Sequence, residues 1–168
     1  MYSIGEHVIH PGQGVCTVVG YEDGAAPMIV LEAHSGLAKT RMLYPVAQQD
    51  RLHACISRED AEHLIAHYAD IECDPFTERN SSLEETYFKK QLKHGAPKTV
   101  QVAKTMRSRI SEAESHDKKP SSYYLRVLKE ARRRVAEEMA VALDVSEADA
   151  AALMLDTARA AEGEPSLN

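Results

Sequence analysis

Short apolar runs rich in β-branched residues, separated by glycine- and proline-containing turns, open the chain. Their near-alternation of apolar and polar positions predicts strands at residues 7–9, 15–21, 28–33 and 39–44, with a fifth candidate at 51–55. Pro11-Gly12-Gln13-Gly14, Asp23-Gly24 and His34-Ser35-Gly36 supply the turns, since glycine accepts positive φ and proline fixes its own. Short strands joined this tightly suggest a small antiparallel barrel. From Ser57 the period changes. Ser57-Arg58-Glu59-Asp60 resembles a capping box, and Ala61, Leu64, Ile65 and Tyr68 fall on one helical face. Asp74-Pro75 is expected to end that segment. Further helices are expected after the Ser81-Ser82-Leu83-Glu84 cap (apolar at Leu83, Tyr87, Phe88 and Leu92) and after the break at His94-Gly95-Ala96-Pro97 (Thr99 or Val100, then Ala103, Met106, Ile110). Two more follow: one after Lys118-Lys119-Pro120-Ser121-Ser122 (Leu125, Leu128, Val135, Met139, Leu143), and one capped by Ser146-Glu147-Ala148-Asp149.

These elements give an α+β fold in two domains, with a small antiparallel β-barrel first and an all-α helical bundle second. The expected division is residues 1–56 for the barrel, 57–76 for a helix and linker, 77–162 for the helical domain and 163–168 for a disordered tail. The domain boundary is expected near residues 72–77. An apolar fraction of 43% is enough for packed cores. No run of about 18 apolar residues exists to span a membrane. The start, Met1-Tyr2-Ser3-Ile4-Gly5-Glu6, has neither the basic nor the apolar region of a secretory leader. Three widely spaced cysteines, Cys16, Cys55 and Cys73, fit reduced thiols and a cytoplasmic location.

Charge changes the picture. The net charge is −6, which taken alone argues against a nucleic-acid partner. Residues 71–134, however, hold 15 Lys/Arg against 9 Asp/Glu, while residues 1–70 hold 4 against 9 and residues 135–168 hold 1 against 8. The local field decides what a surface attracts, so the middle block is a candidate phosphate-contacting surface. Lys89, Lys90 and Lys93 lie on or just after one predicted helix, Lys104 and Arg107 on the next, and Arg126, Lys129 and Arg133 on one face of the longest. The competing reading is a solvated face with intrahelical pairs such as Glu130 with Arg134.

Enzymatic chemistry finds no support. Glu59, His63 and His67 share a helical face, but no third strong metal ligand is placed by the sequence, so surface histidines are the simpler reading. Cys16 lies in a β-branched run, where a small buried side chain is expected. Gly12-Gln13-Gly14 is too short for a phosphate loop. No cofactor or metal is expected.

Gly5-Glu6-His7-Val8-Ile9-His10-Pro11-Gly12-Gln13-Gly14-Val15 resembles the opening motif of the CarD/CdnL family of bacterial transcription regulators, a module shared with transcription-repair coupling factors. Tyr44-Pro45-Val46, Asp50-Arg51-Leu52, Leu128-Lys129-Glu130-Ala131-Arg132 and the run from Ala136 to Leu143 are similar to later family motifs, so the resemblance covers nearly the whole chain. It implies a Tudor-like N-terminal domain that binds the RNA polymerase β subunit. It also implies a helical domain that contacts promoter DNA at the upstream edge of the transcription bubble and modulates open-complex stability. The implied partners are the β subunit and DNA held mostly by its backbone, with no membrane and a monomeric protein.

On this resemblance the polymerase-binding residues are Lys39, Arg41, Met42 and Leu43, on a strand whose edge can add to a partner strand. The family's strand arginine sits nearer the Tyr-Pro position, where this chain has Leu43, and a shift of one residue changes the face. Many members also carry a tryptophan that wedges into the minor groove. The matching region here, Asn80 to Leu83 with Ser81 and Ser82 between, contains none. Leu83, Tyr87 and Phe88 are apolar substitutes, but their helical spacing predicts that they pack inward. Backbone contact by Lys89, Lys90 and Lys93 is then the main expectation. The alternative is an adaptor whose basic helices bind an acidic protein partner.

Overall fold

In a computed structural model that describes residues 1–33 and 38–163, the turn-separated apolar runs become one five-stranded antiparallel sheet. Its strands are β1 (His7–His10), β2 (Gly14–Glu22), β3 (Met28–Ala33), β4 (Thr40–Pro45) and β5 (His53–Ala54). The expected His34-Ser35-Gly36 turn and the tail beyond Gly163 lie outside the described residues. A 3-10 turn over Val46–Arg51, which the sequence reading lacked, joins β4 to β5. Positive φ at Gly14 (75°) lets the chain reverse from β1 into β2, and the His10 ring accepts the Gly12 and Gln13 amides across that turn.

The strand order is β4-β3-β2-β1-β5. This corrects the expectation of a closed barrel: β4 and β5 end the order and share no ladder among the described residues. Register explains the core. Val8 pairs Cys16 and Cys16 pairs Ala33; Val18 pairs Leu31 and Leu31 pairs Met42; Tyr21 pairs Ile29 and Ile29 pairs Tyr44. These rows lie on one face and make the apolar cluster of this unit, with Cys16 fully buried as a small apolar filler. A register shift between Val18 and Gly20 keeps Tyr21 on the same face as Val18.

By internal contacts the chain divides into Met1–Cys55 and a second unit that begins at Ile56. The helices of the second unit are α1 (Arg58–Ala66), α2 (Ser81–Gln91), α3 (Ala96–Ser115), α4 (Ser122–Leu143) and α5 (Glu147–Glu162). Ser57 and Ser146 cap α1 and α5 as the sequence predicts, accepting the amides of Asp60 and Asp149. The cap of α2 is Asn80 instead of Ser81 or Ser82. The expected break near residues 72–77 separates no compact units. Ala61 and Tyr68 need apolar partners and find them in the cluster that contains Val100, Val135, Met139 and Ala150. Helix α1 ends at Ala66, earlier than Asp74-Pro75, and a 3-10 turn (Tyr68–Asp70) follows it.

Residues 72–76, outside any helix or strand, lie against α3. Three side chains spaced by four on α3 satisfy their backbone. Gln101 donates to the Glu72 carbonyl (3.0 Å), Thr105 accepts the Asp74 amide (2.9 Å), and Arg109 donates to the carbonyls of Asp74 and Phe76. Arg109 also pairs with the buried Glu84 carboxylate at 2.8 Å and lies over the Phe88 ring. Glu84 in turn accepts the Glu78 amide and the Tyr123 hydroxyl of α4. A second buried carboxylate, Glu138 of α4, accepts the Ile56 amide at 2.9 Å and the Ala96 amide at the start of α3. Gly95 precedes it at φ 88°, a conformation that ends one helix and lets the next begin with Pro97 in its first turn.

Arg109→Lys is expected to lower unfolding stability by about 3 kcal/mol in urea titrations. A point charge cannot reproduce the planar fork that holds two carbonyls and a buried carboxylate. Lys90→Ala, at an exposed position without an ion pair among the described residues, should stay within about 0.5 kcal/mol.

Candidate polymerase- and nucleic-acid-contacting surfaces

At the sheet edge, burial along β4 alternates, with Tyr44 buried, Met42 half-buried and Thr40, Arg41 and Leu43 exposed. Arg41 and Leu43 therefore share the outer face, while Met42 packs toward the core with Tyr44. Arg41 and Leu43, the position where the CarD/CdnL arginine would fall, are two residues apart and so lie on the same outward side of the pleat, opposite Met42 and Tyr44. Leu43 is 51% exposed, beside Val30 on β3. Arg41 faces Glu32 across the strands and donates to it at 3.3 Å; Lys39 approaches the same carboxylate at 3.5 Å. The Arg41 hydrogen bond, helped by the Lys39 charge, holds Glu32 below the ordinary carboxylate range. β4 ends the strand order, so its outer edge is free for strand addition among the described residues.

In the helical unit, Glu84 meets Tyr123, Glu85 meets Arg126 (3.1 Å), and the Leu92 carbonyl meets Arg134 (3.4 Å). Numbers rise together on both sides, so α2 and α4 run side by side in the same direction. This pairing brings the helices carrying Lys89, Lys90, Lys93, Arg126, Lys129 and Arg133 together. Lys104 and Arg107 are placed elsewhere. Lys104 donates to the carbonyls of Tyr68 and Ala69 and lies over the Tyr68 ring; Arg107 pairs with Glu162 at 3.0 Å and donates to the Tyr68 hydroxyl.

Much of the positive charge on the α2–α4 pair is already answered. Arg126 and then Lys89 (3.0 Å) hold Glu85 below its ordinary range, and Arg133 bridges Glu130 and Glu137. Arg134 pairs with Glu130 at 2.9 Å, as the intrahelical reading expected. Lys90, Lys93 and Lys129 are exposed and make no ion pair among the described residues.

Of the apolar positions expected to pack inward, Phe88 and Tyr87 do so and Leu83 does not. Phe88 is fully buried, and Tyr87 stacks on Phe76 at 3.8 Å while its hydroxyl donates to Asp74. Leu83, expected to pack inward, is 56% exposed in the first turn of α2, next to exposed Ser81 and Ser82. The reason is the buried Glu84: turning it toward Arg109 rotates its neighbour outward by about 100°. Leu125, in the first turn of the parallel α4, is 60% exposed. Sequence reasoning missed this pair because helical periodicity assigned both leucines to apolar stripes.

His63 and His67 stack with ring centroids 4.2 Å apart, and His67 faces Asp70 at 3.4 Å. No group of three or more metal-ligating side chains forms among the described residues. No described helix is long and apolar enough to cross a membrane. Neither protein-family models nor curated proteins match this chain.

Replacing Arg41 by Gln should move the Glu32 titration midpoint upward, toward the ordinary carboxylate range, in a carboxyl-detected NMR titration. Replacing Lys39 by Gln should move it in the same direction by less, because the direct hydrogen bond of Arg41 is the larger cause.

Proposed function

We propose that this chain is a CarD-like transcription regulator. Its N-terminal sheet is a Tudor-like module, open between β4 and β5, that adds the β4 edge to the RNA polymerase β subunit. Its helical unit touches promoter DNA near the upstream edge of the bubble and modulates open-complex stability. The observation that carries the DNA half is Leu83: an exposed leucine at the start of a helix whose later turns, and whose parallel neighbour, carry lysines and arginines. Basic side chains hold phosphates and fix orientation, and an apolar side chain beside them wedges against an opened base step. The polymerase half is supported by Arg41 and Leu43 on the outer face of an edge strand, with Arg41 available to exchange Glu32 for a partner carboxylate.

Among the described residues, Lys90, Lys93 and Lys129 are the candidate cations without an ion pair, so the phosphate contact is modest. Filter binding to duplex DNA over a salt series should give a log–log slope of about −3, against about −7 if all eight candidates each neutralised a phosphate. Binding that is absent, or insensitive to salt, would overturn the DNA half and favour an acidic protein partner for the basic helices. Immobilised full-length chain should capture purified β subunit, and Arg41→Glu combined with Leu43→Ser should reduce capture at least about tenfold. No capture by the unaltered chain removes the polymerase half. Leu83→Ser should weaken the effect of the protein on open-complex lifetime while leaving β capture unchanged.

A further inference from the structure

Beyond the two contact surfaces, α3, α4 and α5 line an apolar pocket of about 240 Å³, partly open to solvent, that neither surface uses. Val100, Ala103, Val135, Ala136, Met154 and Leu155 supply apolar wall. Its polar groups are Arg107, Arg132 and the Tyr68 hydroxyl. A second pocket, of about 230 Å³, shares Arg107, Arg132 and Leu155 with the first, so both arginines line each.

The two arginines are not equivalent. Arg107 is held by Glu162 and by the Tyr68 hydroxyl oxygen, while Tyr68 itself donates to Glu162. Arg132 has no carboxylate within ion-pair distance among the described residues. Arg132 as a residue is exposed, yet partial desolvation against the pocket wall and the adjacent Arg107 charge both disfavour its charged form, pushing it below the usual arginine range. An arginine in that position beside a second arginine is a waiting anion site, and a carboxylate offers the bidentate geometry that fits it. The adjoining wall is apolar, so the occupant must carry a hydrocarbon body as well as a charge. A cavity of 150 Å³ holds benzene, so this one admits a chain or ring a few carbons larger.

We propose that this cavity binds a small amphipathic carboxylate of medium-chain fatty-acid type, with its head on Arg132 and its hydrocarbon against the wall formed by α3, α4 and α5. Binding would tie α5 to α4 through the ligand. The proposal does not depend on contact with polymerase or DNA, and the test uses neither.

Octanoate is the probe, titrated into the full chain by calorimetry and by saturation-transfer NMR, with octanol and acetate as controls. The expected result is one site, with octanol and acetate each at least about tenfold weaker, since one lacks the charge and the other the hydrocarbon. Arg132→Gln should weaken octanoate about tenfold and leave octanol unchanged. Ala152→Leu, which fills the cavity from α5, should weaken both, and thermal unfolding checks that each variant is folded. No saturable octanoate binding overturns the proposal, as do equal binding of octanol and octanoate or undiminished binding by folded Arg132→Gln.

Discussion

The helical unit is organised around Arg109. Its guanidinium spends donors on the carbonyls of Asp74 and Phe76 and on the Glu84 carboxylate, and its plane covers the Phe88 ring. Four pieces of chain thereby meet at one side chain on α3: the segment before α2, the first turn of α2, the middle of α2 and, through Glu84 and Tyr123, the start of α4. A segment outside helix and sheet has backbone groups that no ladder satisfies, and at the buried Asp74 an unpaired amide would cost about 1–3 kcal/mol. Gln101 and Thr105, about two turns and one turn before Arg109, complete the solution. Because a buried pair lacking one partner is strongly unfavourable, Arg109 and Glu84 constrain each other's helices more tightly than apolar packing would.

Glu138 does for the other end of the unit what Glu84 does here. It takes the Ile56 amide, where the unit begins, and the Ala96 amide, where α3 begins. Burial raises its carboxyl above the ordinary range even though both amides favour the charged form. The apolar clusters on either side, one around Met139 and one around Met106, are thus each bordered by a carboxylate that fixes where helices start. Apolar surface supplies the drive to collapse, and these two groups supply register.

Much of this was legible in sequence wherever a period or a cap carries it. β1 to β4 and the Ser57 and Ser146 caps follow from alternation and from hydroxyl or amide chemistry at helix starts, and the structure places them within a residue or two. Sheet closure was not legible, because no local pattern says whether the first and last strands of an order meet. Nor was the union of residues 57–76 with the later helices. Composition marked Asp74-Pro75 as a break, but the backbone there is satisfied by side chains about thirty residues away. Arg109 counted as one more cation in a basic block, and nothing near it in sequence shows that its partners are Glu84 and two carbonyls. The same holds for Lys104 and Arg107, whose partners are Tyr68, Ala69 and Glu162.

The exposed leucine follows from the same buried polar site. A helix offers one inward direction to each stretch of its length, and in the first turn of α2 that direction belongs to Glu84, because Arg109 requires a carboxylate there. Successive residues differ by about 100°, so Leu83 cannot also face the core. Phe88, four residues after Glu84, continues the inward line; Tyr87, four after Leu83, reaches only half-burial and uses its hydroxyl on Asp74. With the two residues exchanged, the leucine at 84 would face the core and the glutamate at 83 would face solvent, leaving no outward apolar side chain at that point of α2. An apolar residue placed outward by a buried ion pair is held by a constraint that cannot relax without breaking the unit. That rigidity suits the wedge role proposed for Leu83, because an apolar side chain that can retreat does no work on a base step.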